Sequence, residues 1–169
     1  MKRPLEHAEP DEWTEELAAR LGALLLRAGD RIAVAESLTA GNVQSSIASV
    51  SGASRYFLGG VTAYHIDGKV QLLGVDRAEA ERTDCVSAEV ARQMARGVRR
   101  AFGTEVGIGT TGYADGVDVP FAFVAVVLGD AEVVDRFDGP GLTRRQMQHR
   151  ASARVMELAI KTLEARDGR

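Results

Sequence analysis

Cysteine is almost missing from this sequence. Cys85 stands alone among 169 residues, so no internal disulfide can brace the chain, and that usage fits a reducing compartment. Histidine is scarce too: His7, His65 and His149 are scattered, with no spacing that resembles a metal site, so no metal is expected. No uninterrupted apolar run approaches the ~20 residues that cross a bilayer. The opening MKRPLEHAEPDEW lacks the apolar core of a secretory leader. A net charge of -3 gives no general electrostatic reason to bind nucleic acid, so any anion site must come from local geometry. These absences lead us to expect a cytoplasmic protein without cofactor, nucleic-acid partner or membrane partner. No repeat, low-complexity linker or composition break divides the chain, which reads as one domain over 1–169 with a flexible lead over 1–10.

What is present is an ordinary globular composition, 45% hydrophobic and 27% charged, in a chain long enough to bury a real core. DEWTEELAARLGALLLRAGD places Trp13, Leu17, Leu21, Leu24 and Leu25 at helical spacing, with Asp11 as N-cap and Gly29 as C-cap. RIAVA is a short buried strand, and GNVQSSIASV a helix broken at Ser51 and Gly52. Further strands are predicted in GGVTAYH and TEVGIGT, flanking a helix AEVARQMARGVRRAF capped by Ser87. FAFVAVVL and EVVDRF form a hairpin around Gly129 to Ala131, and a long helix from TRRQMQ closes the chain. Strand, helix and hairpin together give an α/β fold with a mixed sheet.

The stretch AESLTAGN, residues 35–42, carries the first chemical signal. A buried strand stops at Glu36, Ser37 and Thr39, and small residues lead into a helix. A hydroxyl there can cap the helix's free N–H groups, or it can act as a nucleophile if a base stands beside it. Both readings share one geometry, and only a partner separates them. Lys69, in GGVTAYHIDGKVQLLGV, is the candidate base. It could take a proton from serine only when neutral, which requires burial or a neighbouring positive charge; by local pattern alone it reads as a surface lysine.

Other motifs have plainer readings. GIGTTG, Gly107 to Gly112, fits GxGxxG, but the motif needs a helix to start inside the glycines, and YADGVDVP follows instead. A phosphate or substrate loop stays open there, while an oxidoreductase would need tight dinucleotide binding to be revived. Cys85 has no neighbouring histidine or second cysteine and reads as a small buried filler. Arg144 and Arg145 mark a helix start beside a glycine-rich turn; they are either a solvated face or a phosphate cradle.

AESLTAG, SGASRYFLGGVTAYHIDGKVQLLGV and VSAEVARQMARGVRRAFGTEVGIGTTGYADG resemble the CinA C-terminal family, whose active members are nicotinamide mononucleotide deamidases. The order and spacing of Ser37, Tyr64 and Lys69 are the most specific part, and the likeness runs from about Leu17 to the last helix. It implies a three-layer α/β/α sandwich and a metal-free amidohydrolase that turns the nicotinamide carboxamide into carboxylate and ammonia. Ser37 would be the nucleophile and Lys69 the general base. Glu36, Thr39, Gly41, Tyr64, Thr110, Thr111, Gly112, Arg144 and Arg145 would line the nucleotide site, with N–H groups near Thr39 to Gly41 stabilising the oxyanion. A homo-oligomer is also implied. The alternative is a catalytically silent relative that binds a nucleotide or protein partner.

Departures gather at the site. Leu38 and Ala40 stand where the family has Cys and Gly, adding bulk beside Ser37, and GPGLTRR replaces the usual GDR. Asp115 and Phe121 occupy positions expected to be small. A carboxylate at Asp115 would repel an incoming phosphate and Phe121 would narrow the pocket, so poor handling of the phosphorylated substrate is expected. The separate N-terminal domain of many family members has no room in this sequence.

Overall fold

The computed structural model describes residues 10–168, with side chains from Trp13 onward. Of the expected lead only Pro10 falls among them, and His7 lies outside. Five strands, β1 (Ile32–Glu36), β2 (Phe57–Thr62), β3 (Val106–Tyr113), β4 (Phe121–Leu128) and β5 (Ala131–Asp138), form one sheet in the order β2-β1-β3-β4-β5. β1 runs parallel to β2 and β3, while β3, β4 and β5 alternate antiparallel. The sheet is mixed, and helices cover both faces.

On one face lie α1 (Pro10–Ala28), α2 (Asn42–Ala48) and α6 (Arg144–Asp167). Leu17, Leu21, Leu24 and Leu25 of α1 pack with Val155, Met156 and Ile160 of α6 over Val34, Ile108 and Val126. Each such side chain contributes about 1.5–3 kcal/mol on burial, which holds these amphipathic helices on the sheet. The helix α1 begins before Asp11, so Asp11 is not its cap.

On the other face lie α3 (Ile66–Leu73), α4 (Arg77–Arg82) and α5 (Ala88–Phe102). Val90, Met94 and Val98 of α5 pack on Ala33 and Ala35 of β1. A Cβ on Gly107 would stand 2.2 Å from the Ala95 carbonyl oxygen, and one on Gly109 2.2 Å from that of Ala91. The glycines of GIGTTG therefore let α5 lie directly on β3, and the motif is strand, not a substrate loop. The residues after it, 114–120, make the turn to β4.

Neither α3 nor α4 is evident from the residue pattern. Gly68 interrupts IDGKVQLL, and RAEAER offers only Ala80 to the core. Caps set them instead: His65 Nδ1 accepts from the Asp67 amide, and the Asp76 carboxylate from that of Glu79. None of the described helices is long and apolar enough to cross a membrane.

Candidate active site

The site forms where β1 and β2 end. Ser37 follows the last residue of β1, but it does not cap α2. That helix starts at Asn42, with Gly41 as its N-cap at φ 100° and no side-chain cap bond. Glu36 does the capping from the strand: its fully buried carboxylate accepts from the amides of Gly41 (2.9 Å), Val43 (3.1 Å) and Gln44 (2.8 Å). Glu36 is thus a fastener inside the turn, not a residue facing ligand, and the Gly41 amide is not free for an oxyanion. The Ala40 amide is also committed, donating to the Ser37 carbonyl at 3.0 Å. The amides of Leu38 and Thr39 have no hydrogen-bond acceptor among the described residues.

Thr39 and Thr110 are buried with their hydroxyls 2.8 Å apart, and Thr110 Oγ1 accepts from the Ser37 amide at 3.4 Å. These two threonines pin the turn to β3. Thr111 points to the opposite face, where its hydroxyl donates to the Cys85 carbonyl at 2.7 Å. A Cβ on Gly112 would stand 2.4 Å from the Phe121 carbonyl oxygen, so Gly112 serves the β3–β4 pairing.

Lys69 comes to Ser37 from α3. A helical side chain leans toward its helix's N-terminus, so Lys69 runs back over its own first turn. Its Nζ donates to the carbonyls of Ala63 (2.8 Å) and Tyr64 (3.1 Å) and lies 3.0 Å from Ser37 Oγ. Lys69 is 1% exposed and Ser37 8%. Lys69 is therefore not the surface lysine its local pattern suggests. Burial lowers its pKa below the usual lysine value, against the opposing pull of Cys85 and Asp84. A neutral amine has two N–H donors and one lone pair. The two carbonyls match those donors and the serine hydroxyl the lone pair, just as the three N–H groups of an ammonium would match all three oxygens.

Asp84, which the sequence pattern does not mark, and Cys85 complete the wall. Asp84 and Cys85 both take left-handed backbone angles, φ 50° and 62°. This bend presents the Cys85 carbonyl to Thr111 and the Asp84 carboxylate to the Tyr113 hydroxyl at 2.7 Å. Cys85 is half-buried and packs against the core under α5, as a small filler does, and burial pushes its thiol pKa up.

At the mouth, Tyr64 is 55% exposed and its hydroxyl accepts from Arg144 Nη2 at 2.5 Å. Arg144 Nη1 also donates to Asp115 at 2.6 Å. Of the two candidate arginines, Arg144 joins the site; the Arg145 side chain is exposed and makes no hydrogen bond or ion pair among the described residues. Asp115 is paired with a cation instead of standing as a bare charge. Phe121 packs edge-on against Tyr113, with the Arg136 guanidinium 4.6 Å from its ring centre, on the α5 side of the sheet. The bulk of Leu38 goes inward: it is buried with Ala114, Ala122 and Met147.

Comparison with known proteins agrees with this architecture. The CinA C-terminal domain profile matches residues 14–163. A CinA-like protein of Rippkaea orientalis is 44% identical over 122 residues, which is 70% of this chain and 29% of that protein. One from Flavobacterium psychrophilum is 33% identical over 158 residues, 90% of this chain and 38% of that protein. This chain thus spans well under half the length of those relatives. Among solved structures, a competence-damaged protein (CinA) superfamily member from Klebsiella pneumoniae superposes with a TM-score of 0.84 at 21% identity, covering 90% of this chain and 98% of that one. The competence/damage inducible protein CihA from Agrobacterium tumefaciens gives 0.84 at 22% identity, covering 90% and 96%. At those identities the likeness concerns the fold: a three-layer α/β/α sandwich around a mixed sheet. The profile match over most of the sequence establishes that the chain belongs to the CinA C-terminal domain family.

Proposed function

We propose that this chain is a serine amidohydrolase that cleaves the carboxamide of a nicotinamide nucleotide or nucleoside to the carboxylate and ammonia. The observation that carries the reading is the Ser37–Lys69 contact: a hydroxyl 3.0 Å from a buried amine whose other two directions are filled by carbonyls. Neutral Lys69 takes the Ser37 proton as Oγ attacks the amide carbon. The charge that develops on the carbonyl oxygen falls to the free amides of Leu38 and Thr39, the nearest unused donors of the turn. On collapse the C–N bond breaks, the Lys69 ammonium returns its proton to the leaving nitrogen, and ammonia departs from an acyl ester on Ser37. Water, deprotonated by Lys69, then hydrolyses the ester and restores the serine.

The test is ammonia release from nicotinamide mononucleotide and from its dephosphorylated nucleoside, with Ser37→Ala as control. Release that is lost in the control supports the reading. No release above the control, with calorimetric binding of either ligand, establishes the catalytically silent alternative.

A further inference from the structure

Three side chains cross the mouth of the Ser37–Lys69 site. Arg144, the first residue of α6, bonds Asp115 on the turn after β3 and Tyr64 on the connection after β2. One guanidinium thereby ties together three segments that are far apart in sequence. The other end of Tyr64, its backbone carbonyl, accepts from Lys69 Nζ. The cation is therefore one tyrosine removed from the reacting pair.

A guanidinium fork at such a rim suits a phosphate. Here its fork is engaged by the chain's own groups. The α6 amides behind it are partly spent as well, because Thr143 and Gln146 close a capping box on themselves. We propose that Asp115 is a specificity-determining residue: by engaging Arg144, it makes the site favour an amide whose remote end carries no phosphate over its phosphorylated counterpart. A phosphate reaching Arg144 must either displace Asp115 and leave that carboxylate beside it, or share the guanidinium with a like charge. A neutral ligand end meets neither cost. The paired side chains are 47% and 60% exposed, so water and salt screen them, and the discrimination is a matter of a few-fold.

This inference rests on the reading of Ser37 and Lys69 only in where it places the amide, so it is tested by binding, independently of turnover. The full chain, Asp115→Asn and the double variant Asp115→Asn/Arg144→Gln are titrated calorimetrically with nicotinamide mononucleotide and with its nucleoside, at low and at physiological salt. The wild type is expected to bind the nucleoside at least as tightly as the mononucleotide. Asp115→Asn should tighten the mononucleotide roughly three- to fivefold and leave the nucleoside within about twofold. The gain should shrink with salt and vanish in the double variant. This pattern without ammonia release keeps the inference and removes the amidase reading. The inference is overturned if Asp115→Asn changes both ligands alike, changes neither, or binds neither.

Discussion

The Glu36 carboxylate lies 2.8 Å from the amide of Gln44, eight residues further along, and 2.9 Å from that of Gly41. One buried side chain at the end of β1 thus folds the next eight residues around Ser37 and satisfies helix donors that would otherwise be orphaned. Glu36→Gln keeps the shape but turns an N–H₂ group toward N–H donors. We expect it to lower unfolding free energy in urea by about 2–4 kcal/mol and to reduce ammonia release in parallel. A loss below about 0.5 kcal/mol would mean that the turn holds without its fastener.

Gly109 and Gly129 separate two reasons for glycine. A Cβ at Gly109 would stand 2.2 Å from the Ala91 carbonyl oxygen and 2.8 Å from the Ala95 nitrogen, with only backbone to yield. Gly129 sits at φ 60° in the β4–β5 turn, where a Cβ would meet nothing within 4 Å. Gly109→Ala should therefore cost about 3 kcal/mol or more by forcing α5 off β3, and Gly129→Ala only about 1 kcal/mol, from backbone angle alone. Equal losses in denaturant titrations would refute the packing account of GIGTTG.

The long elements were legible from their apolar pattern: Leu17 to Leu25 on α1 and Met147 to Leu163 on α6 recur at helical spacing, and the Val-rich runs of β4 and β5 flank a short glycine turn. The family resemblance carried by Ser37, Tyr64 and Lys69 singled out residues that the fold brings to one place. Two features could not be read. Glu36, at the end of an apolar strand, gives no sign that it turns inward to amides five to eight residues away. Likewise, the burial of Lys69 depends on a short glycine-containing helix packing against α5, a tertiary effect absent from the local pattern. Asp115 shows the same limit at the surface. Its charge is plain in sequence, but its meaning depends on Arg144, which lies 29 positions away.

Ala40 is exposed and takes φ 52°, a conformation in which a Cβ is strained. Its methyl group contributes nothing to the core, so the strain has no evident local compensation. Ala40→Gly removes it, at the cost of a more flexible unfolded chain. The net gain should be about 0.5–1 kcal/mol in thermal or urea unfolding, with ammonia release unchanged. A destabilised variant would show that chain entropy outweighs the strain.

Lys69 ties activity and stability to pH in the same direction. Burial lowers its folded-state pKa below that of the unfolded chain. Between the two values the unfolded chain holds a proton that the folded chain has released, so stability from this residue rises with pH and falls away as pH drops through the folded value. Lys69→Met fills similar space without the titrating group. The advantage of Lys69→Met over wild type in urea should therefore be largest at low pH and should narrow as pH rises toward the ordinary lysine range. The neutral amine is also the form that accepts the serine proton, so kcat/KM should climb with pH and level off below that range. Lys69→Met and Lys69→Arg should both lose at least ~100-fold in activity, the second because guanidinium keeps its proton. A stability difference independent of pH, or an active Lys69→Arg, would mean that Lys69 stays charged and only holds Ser37 in place.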